Sequence, residues 1–165
     1  MTAKSLFSEA VLHPIVFVDQ IPADEQVLIL KAVEALSSAY APYSGFDVGA
    51  AALLDNGVMV PGSNQENIAY PSGMCAERVA LFATGAQYPG VRIKALAICC
   101  RPNGEEEQLI SPCGACRQVM YESEARQGSD IKLYVFVAGG QIYRADNLHS
   151  LLPFPFSFPA RQPKT

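Results

Sequence analysis

Three stretches of the chain repeat apolar residues at the three- and four-residue spacings of an amphipathic α-helix. The first begins near Asp24, has Asp24 and Glu25 in its first turn, and ends at the proline and glycine of APYSG. The second extends from about Cys75 to Gln87 and the third from near Cys113 to Gly128. The first helix is defined by the apolar residues Ile29, Val33, Leu36 and Tyr40. In the second helix we expect Val79, Phe82 and Ala83 to be buried.

Five other segments have the apolar composition of β-strands. FDVGAAALL and VMVPG flank Asn56-Gly57, a dipeptide typical of β-hairpin turns. VRIKALAICC is the third strand, and IKLYVFVA and QIYRA, separated by Gly139-Gly140, are the fourth and fifth. A short helix is expected before the proline- and phenylalanine-rich tail LLPFPFSFP.

The predicted element order is α-β-β-α-β-α-β-β-α. The third and fourth strands each follow a helix, which favours parallel pairing there, while the hairpins add antiparallel pairs. The fold class expected is therefore α/β, a three-layer α/β/α sandwich around a mixed five-stranded sheet. Residues 23–165 are expected to form a single domain, and residues 1–22, which show no clear period, an N-terminal extension of unknown role.

Composition limits the classes of partner. Half of the 165 residues are hydrophobic, which suits one domain with a real core. The net charge is −4 and no run of lysine or arginine occurs, so nucleic acid is a poor candidate partner and a small molecule or a second copy of the chain remains open. No apolar stretch reaches the about 18 residues of a membrane span, and the N-terminus does not read as a secretory signal. A cytoplasmic location is expected.

The cysteines are the strongest chemical feature. There are five, an odd number, which favours metal binding or catalysis over a disulfide framework. Cys75 comes at the start of the second helix, and Cys113 and Cys116 at the start of the third, where the positive ends of helices stabilise thiolates. Three thiolates and one open position are typical of catalytic rather than structural zinc. Neither histidine, His13 or His149, has a metal-ligand spacing.

Each of these residues taken alone has a plainer explanation. The Cys-x-x-Cys pair could be a redox pair or half of a structural zinc site. Cys75 alone would be a small buried apolar residue, Glu77 a charge at a helix start, and Arg78 a solvated cation. Their combination in CAER and PCGACR favours a metal site with a nearby carboxylate, in which Arg78 offsets the negative charge of the thiolates. Cys99 and Cys100 lie inside an apolar strand and are interpreted as packing residues.

Several motifs occur in an order that resembles one enzyme family. YAPYSGFDVGAAALL, NQEN, CAER and SPCGACRQVM together resemble the zinc-dependent cytidine deaminases of the homotetrameric, three-cysteine type, over about residues 39–158. The resemblance implies Zn²⁺ as cofactor, with Cys75, Cys113 and Cys116 as ligands. It also implies that Glu77 carries protons between water and the cytosine ring, as the conserved glutamate does in zinc deaminases generally.

The same resemblance implies a set of substrate-binding residues. Asn64 and Glu66 would hold the ribose hydroxyls, and Phe46 would lie beside the base. Tyr70 and Phe156 match positions that approach a neighbouring active site in a homotetramer. The sequence departs from the family pattern at Gln65, where a branched apolar residue is customary, in its longer N-terminal extension, and in its proline- and phenylalanine-rich tail.

The function expected is hydrolytic deamination of cytidine and deoxycytidine to uridine and deoxyuridine with release of ammonia, in pyrimidine salvage. One alternative is a deaminase of another cytosine nucleoside, such as blasticidin S. Another, from a different class, is a non-catalytic zinc-stabilised or nucleic-acid-binding module. The presence of Glu77 and the acidic charge balance argue against that last alternative.

Overall fold

The computed structural model describes residues 12–15, 18–101 and 111–157. Much of the predicted N-terminal extension, the segment after Arg101 and the last eight residues lie outside the described residues. The described residues form three α-helices, α1 (Ala23–Ala35), α2 (Ala76–Gln87) and α3 (Gly114–Gln127). The strands are β1 (His13–Pro14), β2 (Asp47–Leu54), β3 (Met59–Ser63), β4 (Ile93–Arg101), β5 (Lys132–Val137) and β6 (Ile142–Ala145).

The strands form one mixed sheet in the order β1-β6-β5-β4-β2-β3. The central pair β4 and β5 is parallel, as expected for strands that α3 connects, and every other pair is antiparallel. The hairpin at Asn56-Gly57 is also present, with the left-handed backbone of its turn at Gly57 (φ 82°).

The part of the chain that the structure describes has six strands, one more than the five predicted. The sixth, β1, is only two residues long and pairs antiparallel with β6 at the edge of the sheet. It lies in the part of the chain predicted to be an extension. A two-residue strand containing Pro14 has no apolar alternation, so no local pattern could reveal it.

The helices cover both faces of the sheet, which confirms the three-layer α/β/α class. Alternate residues of β2 point to opposite sides, so Ala51 and Leu53 pack with α1, whereas Ala50 and Ala52 pack in the second core with α2 and α3. Because β4 and β5 lie in the middle of the sheet, their residues are buried on both faces. None of the helices in the described part of the chain is long and apolar enough to cross a membrane.

The predicted buried face of α2 was partly wrong. The side of this helix that packs on the sheet is formed by Ala76, Ala80 and Thr84, together with Leu81. Phe82 is 50% exposed instead. Small residues take the buried positions because α2 lies very close to β3, which leaves no room for a large side chain there.

The close packing occurs at Gly62 on β3. A Cβ atom built on Gly62 would lie 2.5 Å from the carbonyl oxygen of Ala76 and 2.5 Å from the amide nitrogen of Ala80. These are backbone atoms that cannot rotate away, so only glycine allows the helix to sit this close. The contact fixes the first turn of α2, and with it the positions of Cys75 and Glu77, relative to the sheet.

Candidate metal centre and active-site cavity

Two helix starts carry the cysteines predicted to bind metal. Cys75 directly precedes α2 and Cys113 directly precedes α3, and both have extended backbones, with ψ angles of 150° and 166°. Both are N-cap residues, so their side chains lie at the helix ends rather than on the helix walls. Cys116 lies in the first turn of α3 and is fully buried.

The three sulfur atoms converge on one point. All Sγ atoms of Cys75, Cys113 and Cys116 lie within 4.8 Å of one another, and those of Cys113 and Cys116 are 3.4 Å apart. Tetrahedral zinc with Zn–S bonds of about 2.3 Å requires sulfurs about 3.8 Å apart, so the cluster fits zinc with small adjustments. Within the described residues no fourth Cys, His, Asp or Glu ligand atom joins this cluster. A fourth coordination position is therefore left for water or substrate.

The surroundings of the cluster favour thiolates. The Arg78 guanidinium donates from Nη2 to the Sγ of Cys75 at 3.6 Å. The neighbouring thiol of Cys116, together with Arg78, lowers the pKa of Cys75 to about 5 despite partial burial. The negative sulfur of Cys75 and burial raise the pKa of Cys116 in turn. With one pKa lowered and the other raised, the two cysteines share one proton. A divalent cation would displace that proton and stabilise the negative charge on all three sulfurs.

Glu77 lies in the first turn of α2, two residues after Cys75, and is 5% exposed. Burial, supported by the negative charge of Cys75, raises the pKa of this carboxyl group above its usual range. A buried carboxyl group with a raised pKa at the wall of a cavity has the properties of a general acid and base.

The cluster opens into a cavity of about 740 Å³. This volume suits a drug-sized or nucleoside-sized molecule. Most of the residues predicted from the sequence to form the site line it together. They are Phe46, Asn64, Glu66, Tyr70, Cys75, Glu77, Arg78 and Cys113.

Asn64 and Glu66 are held by the chain segment that carries Phe46. The Asn64 side chain donates from Nδ2 to the carbonyl of Phe46 at 2.8 Å and accepts at Oδ1 from the amide of Val48 at 2.9 Å. Glu66 accepts at Oε2 from the amides of Tyr43 and Ser44.

The two aromatic residues assigned to subunit contacts lie in different places. Tyr70 is 74% exposed at the rim of its own cavity and makes an edge-to-face contact with Tyr43, with ring centroids 6.2 Å apart. Phe156 does not line the cavity, and its side chain is 77% exposed. Its peptide group is held by the Gln118 side chain, which donates to its carbonyl at 2.7 Å and accepts from its amide at 2.9 Å.

Sequence reasoning did not identify the residue that fixes the loop before Cys113. Arg117 donates from Nε to the carbonyl of Pro112 at 2.8 Å and from Nη2 to the Oγ of Ser111 at 2.7 Å. It also reaches the carbonyl of Leu151 at 3.4 Å. Its place directly after the second cysteine of Cys-x-x-Cys was the available clue, but its partners lie in segments whose packing only the fold decides.

A second group of potential ligands has a structural explanation. Glu124, Asp130 and His149 lie close enough together to hold a metal. However, the buried Glu124 carboxylate accepts from the backbone amides of Ile131 and Leu148, and Nδ1 of His149 lies 2.6 Å from its Oε1. These contacts connect the end of α3 to the start of β5 and to the 3₁₀ turn at His149–Leu151.

Comparison with known proteins gives consistent matches. The profile of the cytidine and deoxycytidylate deaminase zinc-binding region matches residues 22–128. The chain is 39% identical to a cytidine deaminase of Halalkalibacterium halodurans over 81% of this chain and 95% of that protein. It is 47% identical to one of Sporosarcina psychrophila over 60% of this chain and 69% of that protein. The crystal structure of cytidine deaminase from Burkholderia pseudomallei aligns with a TM-score of 0.68 at 38% identity, over 79% of this chain and 98% of that one.

A sheet flanked by helices whose N-terminal ends carry three converging thiols and a buried glutamate, beside one cavity, defines a class, the zinc-dependent deaminases. Within that class the matched region covers more than half of the chain, and the match to the Halalkalibacterium protein extends over nearly its whole length. The chain belongs to the cytidine and deoxycytidylate deaminase family.

Proposed function

We propose that this protein catalyses the hydrolytic deamination of cytidine and deoxycytidine to uridine and deoxyuridine, with release of ammonia, as a step of pyrimidine salvage. The single observation that carries the proposal is the convergence of three thiols next to a cavity that Cys75, Cys113 and the buried Glu77 line. The similarity to proteins named cytidine deaminases supports cytidine as the substrate, and gives no support to the blasticidin S alternative.

Zinc held by Cys75, Cys113 and Cys116 would supply Lewis-acid activation of a water molecule beside the base. Glu77 then moves both protons of that water. It delivers one to ring nitrogen N3 and the other to the exocyclic amine as the C4–O bond forms and the C4–N bond breaks. The two protons and the oxygen of one water thus account for uridine and ammonia.

The remaining residues of the cavity orient the nucleoside. Phe46 offers an aromatic surface beside the base, and Asn64 and Glu66 offer an amide and a carboxylate for the sugar hydroxyls. These roles follow from the family resemblance and from the position of all three side chains along the cavity. The Glu66 carboxylate keeps lone pairs beyond the bonds it accepts from its own chain, so it can also accept from a hydroxyl.

The charge of the cavity favours a nucleoside over a nucleotide. Among the described residues that line it, Arg78 is the one cation, and its guanidinium is directed to the Cys75 sulfur. Glu66, on the same cavity wall, would repel a 5′-phosphate. We therefore expect cytidine to have a higher kcat/KM than cytidine monophosphate.

The decisive experiment is ammonia release from cytidine by wild type and Glu77→Gln. The variant keeps the shape of the side chain but cannot carry a proton, so turnover should fall by at least about a hundredfold. Zinc content should stay near one per chain in both proteins, because Glu77 is not a ligand. Glu34→Gln, at an exposed glutamate of α1 paired with Lys31, is the matched control and should retain full activity.

Two outcomes would contradict the proposal. A zinc-loaded wild type that leaves cytidine untouched while deaminating another cytosine compound would assign the site to a different substrate. A Glu77→Gln variant with full turnover would remove the proton carrier from the mechanism.

The same proposal includes a homotetramer in the cytoplasm, formed by the single domain of residues 23–165, with residues 1–22 as an extension. In this assembly Tyr70 and Phe156 would contact the active site of a neighbouring copy. Their exposure in the single chain, 74% and 77%, supports a role in contacts between copies.

A further inference from the structure

One serine hydroxyl takes part in hydrogen bonds both to Glu66 and to the backbone of Phe46. The Oγ of Ser44 donates to Oε1 of Glu66. The same oxygen accepts from the backbone amide of Phe46 at 3.1 Å. A hydroxyl has one proton to donate and lone pairs to accept with, so this arrangement uses both functions at once.

The backbone of Phe46 is thereby held from both sides. Its amide is bonded to Ser44, and its carbonyl accepts from the side chain of Asn64 at 2.8 Å. The two side chains proposed to hold the sugar are thus bonded to the segment that positions the residue beside the base. A shift of Glu66 would move this loop, and a shift of the loop would move Glu66.

We propose that Ser44 is a positioning residue for substrate recognition, whose hydroxyl couples the sugar-binding Glu66 to the base-binding Phe46. The inference rests on the proposed function, since it assigns Ser44 a part in binding the same nucleoside. Ser44 itself need not touch the substrate, although it lines the cavity.

The electrostatics of Glu66 agree with this geometry. The Ser44 hydroxyl, followed by the amide of Tyr43, lowers the pKa of the Glu66 carboxyl group below its ordinary value. Hydrogen bonds to an ionised acceptor are shorter and stronger than those between neutral groups. Three donors directed to one carboxylate restrict its rotation, which a single hydrogen bond would not do.

The coupling predicts a particular kinetic pattern. Without the hydroxyl, Glu66 Oε1 loses its donor and the side chain samples positions in which it cannot reach the sugar. Substrate binding weakens, whereas the thiol cluster and Glu77 lie outside this set of hydrogen bonds. The expected change is therefore in KM and not in kcat.

The experiment measures kcat and KM for cytidine in wild type, Ser44→Ala and Ser44→Thr. We expect Ser44→Ala to raise KM by about five- to tenfold with kcat within about twofold of wild type. Ser44→Thr keeps a hydroxyl and should restore most of the wild-type KM. The matched control is Ser37→Ala, which removes a hydroxyl bonded to the Glu34 carbonyl on α1 and should change neither parameter.

A double-mutant cycle with Glu66→Ala separates positioning from a general structural effect. If Ser44 acts through Glu66, Ser44→Ala should change KM by less than about twofold in the Glu66→Ala background. Carbon NMR titration of the Glu66 carboxyl group gives a readout independent of turnover. Its pKa should rise toward the ordinary glutamate value in Ser44→Ala.

The outcomes distinguish the inference from the function. A wild type that turns over cytidine while Ser44→Ala has an unchanged KM overturns the inference and leaves the function intact. A Ser44→Ala effect that persists undiminished without Glu66 also overturns it. A wild type with no turnover of cytidine refutes the function, and the positioning role with it.

Discussion

At the scale of single residues, the backbone conformation determines where the thiols of the candidate metal site lie. Cys75 and Cys113 each have an extended backbone and are followed at once by a helix, so both thiols lie where two positive helix ends meet. Glu77 lies in the first turn of α2 and is buried where this helix packs on the sheet. The position of Arg78 needs an explanation, because a cation beside sulfurs that bind a metal would ordinarily compete with the metal.

Three thiolates around a divalent ion have a net charge of −1. The positive guanidinium of Arg78 would offset this charge. Its Nη2 lies 3.6 Å from the Cys75 Sγ. We expect Arg78→Gln to retain zinc but to lower kcat by about tenfold, because the sulfurs then carry an uncompensated charge that weakens the Lewis acidity of the metal. Steady-state kinetics with zinc analysis of the same preparation measures both quantities. Arg92→Gln, at an exposed arginine before β4, is the control, and an unchanged kcat in Arg78→Gln would contradict this account.

At the scale of elements, the distance between α2 and β3 is the critical quantity. The first turn of α2 carries Glu77, the proposed proton carrier, and follows Cys75, a proposed zinc ligand. A displacement of this helix would therefore move both relative to the thiols at the start of α3. Gly62 sets that distance through its contacts with the backbone of Ala76 and Ala80. Small residues along the buried face of α2 serve the same close approach.

Gly62→Ala should lower the free energy of unfolding by about 1–3 kcal/mol, because the added methyl group overlaps backbone atoms of α2. It should also weaken zinc retention against a chelator, since Cys75 moves with the helix. Gly85→Ala, within α2 itself, is the control. Its added Cβ would approach only the Arg126 side chain, at 3.7 Å, and should stabilise the protein by about 0.5–1 kcal/mol. Chemical denaturation would measure both, and equal stabilities for the two variants would refute the role of Gly62.

At the scale of the whole molecule, the two layers of helices have different tasks. The layer of α2 and α3 holds the site, whereas α1 on the other face carries a buried polar group, Glu25, which accepts from the Tyr134 hydroxyl and from Lys132 at 2.8 Å. These contacts connect α1 to β5 and lie outside the described cavity lining. Beyond the 3₁₀ turn at His149–Leu151, the described part of the tail has two phenylalanines, Phe154 and Phe156, which are 94% and 77% exposed.

These two exposed phenylalanines, of which Phe156 is held through its backbone by Gln118, are expected to be covered by another copy of the chain. Light scattering of the purified protein should give about four times the chain mass of 17.7 kDa. Phe156→Ala should raise KM for cytidine by more than about threefold, because in the proposed homotetramer a neighbouring active site would lose an apolar contact. A fully active monomer would overturn both expectations.

The amino-acid sequence by itself determined the class of the molecule. Helix and strand periods predicted the order of the main elements and the three-layer fold, because apolar spacing reflects which side of each element is buried. Closely spaced residues, Cys75 with Glu77 and Cys113 with Cys116, indicated the chemistry because their spacing is local.

The tertiary structure alone decided what depends on segments distant in the chain. The edge strand at His13–Pro14 exists because β6 is there to pair with it, and Phe82 is exposed because α2 turns its small residues to the sheet. The bond from Ser44 to Glu66 spans 22 residues. No local period encodes such a contact, since it depends on how the sheet brings two loops to the same wall of the cavity.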